Sequence, residues 1–243
     1  MKKKEGRQAV LVDFRMPEDM RMAIRSLGAD VLLSCRCAAV APPLCGHPDL
    51  QICFPYPGCA VCVPACFSYY QLLLSPYGIA VKPGIALLDR NYPADAAYNV
   101  ARVGRRAIHL LPQTDPVLLR ELNHSSTVLI SVRQGYTKCN VCVVDENAVV
   151  TSDAGIAAAA RKNGLAVLQI APGNILLPGY PYGFIGGASG SLPDGTVVFC
   201  GDVRRHPDFL KMDAFFQKRR QPYAILSSAT LTDFGSVLPI LTV

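Results

Sequence analysis

The chain is poor in charge. Asp, Glu, Lys and Arg make up 17% of its 243 residues, while 51% are hydrophobic. That balance excludes disorder as the main state, because disordered chains are charged and short of apolar residues. Long apolar runs are missing too. A membrane-spanning helix needs about 20 consecutive apolar residues, and Pro, Gly, Lys, Arg or Asp interrupts every stretch well before that. The start lacks the apolar core of a signal peptide, because Asp13, Arg15, Glu18 and Asp19 follow soon after Lys2, Lys3 and Lys4. A cytoplasmic protein is expected, with residues 1–8 as a flexible basic tail and 9–243 as one domain.

Lys and Arg number 24 against 18 Asp and Glu, a formal charge of +6. Beyond the tail the excess is scattered, apart from Arg105 and Arg106, Arg204 and Arg205, and 218–220. No aromatic residues interleave with basic ones to make a stacking groove, so nucleic acid is not expected as a partner. A phosphate loop is absent as well. Gly186-Gly187-Ala188-Ser189-Gly190-Ser191 has no Gly-Lys-Ser/Thr ending and no helix at the right place. Its glycine pair reads instead as a place where backbone comes close to an axis or a ligand. No cofactor is expected.

Ten cysteines need an explanation. Without an export signal they read as reduced thiols. Cys59/Cys62 and Cys139/Cys142 have the spacing of a four-thiolate zinc site. Their flanks read as strands, however, with cysteine as a small buried hydrophobe. No metal is expected, and a single reactive thiol is the remaining alternative.

A β-β-α-β unit repeats. It is clearest from Tyr136: a strand over 136–145, a turn at Glu146-Asn147, a strand over 148–151, Asp153 as helix N-cap, a helix over 155–162 ended by Asn163-Gly164, and a strand over 165–170. The same order recurs over 183–226, with Asp202 at the cap position and a helix over 207–218. It recurs more loosely over 92–132, where Asp115-Pro116 opens the helix, and most loosely over 47–85. The N-terminus has a strand (9–12), a cap (Asp13), a helix (17–26) and a strand (31–34), but no opening strand. Residues 231–238 supply the spare. A fifth unit built from both chain ends leaves no free edge between first and last blade.

Five such units, the last closed by the C-terminal strand, resemble the pentein or guanidino-group-modifying-enzyme (GME) fold. The segments 135–139, 151–156, 182–187 and 233–236 together resemble a bacterial GME-like family with no established activity. The resemblance implies an α/β fold: a pentein-type α/β propeller of five ββαβ repeats around a pseudo-fivefold axis. It also implies a chemistry in which a cysteine thiolate attacks a guanidinium carbon, a histidine acts as acid and base, and carboxylates hold the cation. In those enzymes the nucleophile lies in the last blade's opening strand. Here that strand reads Asp233-Phe234-Gly235-Ser236-Val237-Leu238-Pro239, without cysteine.

Aligned opening strands put Gln51, Asn99, Asn140, Ser189 and Ser236 in one column around the axis. His47 and Asp49, Asp95, Lys138 and Cys139, and Asp233 come just before. A polar ring in an apolar chain predicts a small-molecule pocket, with Asp95, Asn99, Lys138, Asn140, Ser189, Asp233 and Ser236 as ligand contacts. The alternative is a ring that only ties blade ends together. Cys139 is the candidate nucleophile, because the neighbouring Lys138 ammonium would lower its thiol pKa. Strand alternation, though, would turn Cys139 away from a channel that Lys138 and Asn140 face. His47 and Asp49, two apart and on one strand face, are its candidate partners. The expected function is binding of a small, cationic or polar ligand without the family's C-terminal cysteine. The alternative is a thiol-dependent hydrolase or transferase acting on a guanidino or amidino compound.

Overall fold

The computed structural model describes residues 8–242. The expected flexible tail therefore lies almost wholly outside the described residues. Gln8 is already part of the fold, because its carbonyl accepts from Asp30 N at 2.8 Å.

The first unit is β1 (Ala9–Val12), α1 (Glu18–Ser26) and β2 (Asp30–Leu33). The second is α2 (Pro48–Gln51), β3 (Ile52–Tyr56), β4 (Cys59–Cys62), α3 (Phe67–Leu74) and β5 (Ala80–Pro83). The third is β6 (Ala101–Val103), β7 (Arg106–His109), α4 (Pro116–His124) and β8 (Val128–Ser131). The fourth is α5 (Thr137–Asn140), β9 (Val141–Asp145), β10 (Ala148–Thr151), α6 (Ala154–Lys162) and β11 (Ala166–Gln169). The fifth is β12 (Ser189–Ser191), β13 (Val197–Phe199), α7 (Phe209–Lys218) and β14 (Tyr223–Ile225), and the described chain closes with β15 (Leu238–Ile240).

Each unit is a three-stranded blade. The opening strand runs antiparallel to the middle one, and the closing strand runs parallel to it after the helical crossover. β15 takes the opening place beside β1, pairing Leu11 with Leu238 and Ala9 with Ile240, while Ala9 also faces Asp30 across β2. The five blades are five separate sheets. The chain is thus the pentein-type α/β propeller that the repeats predict, closed by its C-terminal strand.

Burial follows position in the blade. The middle strands β1, β4 and β10 are buried at every residue. Their near-continuous apolar sequences (Ala-Val-Leu-Val, Cys-Ala-Val-Cys, Ala-Val-Val-Thr) suit a strand covered on both faces, where alternation disappears. Among the described residues no helix is long and apolar enough to cross a membrane.

Three expectations about local structure are corrected. Residues 47–51 and 136–140 do not open their strands. α2 and α5 are single helical turns that precede β3 and β9. Pro48 at the first position of α2 explains the first, since its fixed φ suits a helix start and it has no N–H to offer a strand ladder. Residues 231–237 are not a strand either. They form the isolated bridges Leu176↔Thr232 and Gly190↔Val237 but no ladder, and the paired strand begins at Leu238. Finally, Asp13 does not cap α1, which starts at Glu18 after Pro17 without a side-chain cap. Its carboxylate accepts instead from Arg15 N and the Arg15 guanidinium. Asp153 does cap α6, accepting from Ile156 N at 2.7 Å, and Asp115 caps α4 through Val117 N and Leu118 N.

Candidate functional site at the axis

The residues that begin the opening strands meet where the blades converge. α2 presents Asp49, and α5 presents Lys138 and Cys139. Asn99 sits in the turn before β6, Gly186 and Gly187 in the turn before β12, and Ser236 just before β15. Asn99 ties three blades together. Its amide nitrogen donates to Asp49 O and contacts Cys139 Sγ, each at 3.1 Å. Its amide oxygen accepts from Lys138 N and Cys139 N. Asp49 Oδ2 accepts from Ser236 Oγ at 2.8 Å and from Cys139 Sγ at 3.2 Å. Lys138 Nζ donates to Ser236 Oγ at 2.9 Å, and Gly186 O lies 2.9 Å from the same hydroxyl.

Backbone comes very close here, as the glycine pair predicts. A Cβ on Gly186 would stand 2.5 Å from Val141 O and 2.7 Å from Cys139 O, so only glycine lets the fourth and fifth blades meet. A Cβ on Gly187 would collide with Asp233 Oδ1.

Asp233 is buried beside this network. Phe184 N and Gly235 N donate to its two oxygens, each at 2.9 Å. His47 Nδ1 stands 3.9 Å from Asp233 Oδ1. Burial pushes the Asp233 pKa above the ordinary carboxylate range, helped by Asp49 and opposed by His47. Several buried polar atoms have no hydrogen-bond partner: both ring nitrogens of His47, Oδ1 of Asp49 and Oδ1 of Asp95. Such atoms are costly unless something satisfies them.

Asp95 lies at one side of the cluster. The Tyr136 hydroxyl donates to its Oδ2, and burial raises its pKa. Aromatic rings link the two acids. Tyr136 packs against Tyr92 (centroids 5.0 Å) and Phe184 (6.4 Å), Phe184 meets Tyr182 edge-on (6.1 Å), and the Phe184 backbone holds Asp233. This chain of rings was not read from the sequence, because its members come from three separate loops with no shared spacing.

The structure brings His47, Asp49, Asn99, Lys138, Cys139, Asp233 and Ser236 together. Asn140 and Ser189 turn back into their own segments, bonding Tyr136 O and Ile185 O. Gln51 turns into its own blade, where Tyr70, Cys35 and Cys45 surround it. For these three the reading of polar residues as ties at blade ends describes what they do. His47 and Asp49 do not share a face, because α2 is a helical turn. One looks to Asp233, the other to Ser236 and Cys139.

Cys139 departs from expectation in two ways. Its side chain points inward, because α5 breaks the strand alternation that would have turned it out. Its pKa is raised well above the thiol range, first by burial and then by the carboxylates of Asp49 and Asp233. The ammonium expected to lower it is engaged with Ser236 instead.

The two CxxC pairs lie on different blades, in β4 and in α5–β9. All ten cysteines are free thiols, and among the described residues no group of three or more His, Cys, Asp or Glu is arranged to hold a metal ion.

A family model described as a family of unknown function, DUF6873, matches residues 11–238. No curated protein matches the chain. Solved structures share the fold, among them the following two. One is DDAH from Pseudomonas aeruginosa, a cysteine-to-serine mutant complexed with citrulline. It is 9% identical with a TM-score of 0.54, and 91% of each chain is covered. The other is the inosamine-phosphate amidinotransferase of Streptomyces griseus. It is 12% identical with a TM-score of 0.53, covering 91% of this chain and 78% of that one.

Proposed function

The chain belongs to this family of unknown function, and from its pentein fold and axial acids we propose that it binds a small organic cation at the propeller axis. The observation that carries the reading is the set of buried polar atoms left without hydrogen-bond partners. They include His47 Nδ1, which stands 3.9 Å from Asp233 Oδ1, His47 Nε2 and Asp49 Oδ1. A planar cation with several N–H donors would satisfy the carboxylate oxygens and find aromatic faces at Tyr136 and Phe184. The two structural neighbours point the same way, since one is complexed with citrulline and the other is named an amidinotransferase. In this reading Asp233 holds the charge and Asp95 guides it inward.

Thermal unfolding with guanidino and amidino compounds tests this. A ligand at about 100 times its Kd stabilises the folded state by about 2.7 kcal/mol. Agmatine or a similar cation should raise Tm, a neutral isostere should not, and Asp233→Asn should abolish the shift. Equal shifts from the cation and its neutral isostere would overturn the reading.

The second reading is thiol chemistry at Cys139. Its support is the 3.2 Å contact between Sγ and Asp49 Oδ2 inside the same cluster. The raised thiol pKa weighs against it. Rapid, single-site labelling of Cys139 by chloroacetamidine at neutral pH would restore it, whereas slow labelling scattered over the ten thiols would end it.

A further inference from the structure

Among the described residues four non-glycine residues have positive φ: Ser126, Asn174, Arg220 and Ser236. The first three are exposed loop or turn positions. Ser236, at φ 73°, is fully buried. A side chain in the left-handed region is strained and persists only where its surroundings hold it. Ser236 is held on every side. Its N–H donates to Gly187 O at 2.8 Å, and the next N–H, of Val237, donates to Ser189 O at 3.1 Å. This backbone aims Oγ at Lys138 and Asp49.

The surroundings of that oxygen are unusual for a structural serine. Lys138 Nζ donates to Oγ, and among the described residues no carboxylate oxygen lies within salt-bridge distance of this ammonium. The hydroxyl's own proton has two acceptors, Asp49 Oδ2 and Gly186 O. An ammonium therefore faces the oxygen while a carboxylate faces its proton. That arrangement favours loss of the proton and stabilises the resulting oxyanion. Lys138 is the partly exposed member of the set, so a ligand entering along its side chain meets the ammonium before it meets Oγ.

We propose that Ser236 is a catalytic nucleophile, with Asp49 as proton acceptor and Lys138 as oxyanion-stabilising cation, for acyl transfer from an ester or amide that carries a positive charge. The proposal rests on the axial cation site, because Asp233 is what holds the charged end of the substrate. In the first step the Oγ–C bond forms, the Oγ proton passes to Asp49, and the carbonyl π pair moves onto oxygen beside Lys138. Collapse re-forms the carbonyl and breaks the bond to the alcohol or amine, which leaves with the proton from Asp49. Water then attacks the acyl-serine and gives a proton to Asp49. Ser236 leaves and takes that proton, so the site returns to its starting state with one water consumed.

The test uses a fluorophosphonate bearing a terminal guanidinium, with adducts located by peptide mass mapping. Its unreactive phosphonate ester is run alongside in a thermal-shift assay. One stoichiometric adduct on Ser236 is expected, unchanged in Cys139→Ser and absent in Ser236→Gly, whose backbone accepts positive φ. Labelling should slow at least about tenfold in Asp49→Asn and in Lys138→Met while both still bind the phosphonate ester. If the ester raises Tm but Ser236 is not labelled, or if the adduct forms elsewhere, the nucleophile is overturned and the cation site stands. If the ester produces no shift and no adduct forms, both fall. Equal labelling rates in the wild type and Lys138→Met overturn the role of the ammonium.

Discussion

Two thiol neighbourhoods in this molecule look alike and behave in opposite ways. Cys139 lies at the axis between Asn99 and Asp49. Cys35 and Cys37, in the loop after β2, meet Cys66 of the second blade beside Gln51, whose amide oxygen is met by Tyr70 OH and by the thiols of Cys35 and Cys66. Cys37, Cys66 and Cys139 are all buried. At the axis, burial and the carboxylates of Asp49 and Asp233 push the Cys139 thiol far up. In the blade, the Cys66 thiol hydrogen-bonds its neighbours, bringing Cys37 down to about 6 and lowering Cys35 as well, while Cys66 itself is raised. Burial alone does not decide whether a thiol is reactive. What decides it is whether the neighbour accepts a proton or supplies one.

The largest expected effect is a labelling ratio. With iodoacetamide at pH 7, the Cys35–Cys37 pair should react at least about 100-fold faster than Cys139, since each pKa unit changes the thiolate fraction up to tenfold. Quantitative peptide mapping over time measures it. Comparable rates would break the comparison. Next comes Gln51→Leu, which leaves the Tyr70 hydroxyl and the carbonyls of Cys35 and Cys45 without their partner. A loss of about 2 kcal/mol is expected in urea unfolding, together with a rise of the Cys37 pKa as the thiols separate.

Asp49→Asn should act in the reverse direction on Cys139. Removing the charge should lower its thiol pKa, read by thiolate absorbance against pH. A pKa unchanged in this variant would assign the shift to burial and Asp233. Smaller still is the pH dependence from Asp233. Its folded pKa lies above its unfolded one, so its contribution to stability is complete below the unfolded value, near pH 4, and is lost as pH rises through the folded value. Asp233→Asn should flatten this part of the stability profile. Binding of a cation should weaken as pH falls through the same window, because the protonated acid carries no charge. Asp153→Ala, remote from both thiol sites, should cost about 1 kcal/mol as a lost cap and change neither thiol.

The blades were legible in the sequence because each carries local punctuation. Asp115-Pro116 opens α4, Asp153 caps α6 and Gly164 ends its helix, and each acts within a few residues. Which residues gather at the axis was legible only in part. His47, Asp49, Asn99, Lys138, Asp233 and Ser236 could be found by aligning repeats. Where they point could not. α2 and α5 are single turns, too short to leave a periodic pattern, and a strand reading of the same residues reverses the face of Cys139. The left-handed backbone at Ser236 was hidden for another reason. Serine gives no sign of it, and what holds the strain is Gly187 O, from another segment of the chain.

The first blade joins β15 to β1, segments separated by almost the whole described chain. This pairing spans the longest sequence separation among the described strands, and distant contacts are slow to form. As synthesis proceeds, β1 and β2 emerge before the other described strands and remain without β15 on one edge while the four other blades are made. Ser236 lies two residues before β15, so it reaches Asp49 and Lys138 only as the blade closes. Folding and assembly of the site are then one event. A chain stalled on the ribosome before this segment emerges holds its acids and its ammonium, but not yet the hydroxyl that joins them.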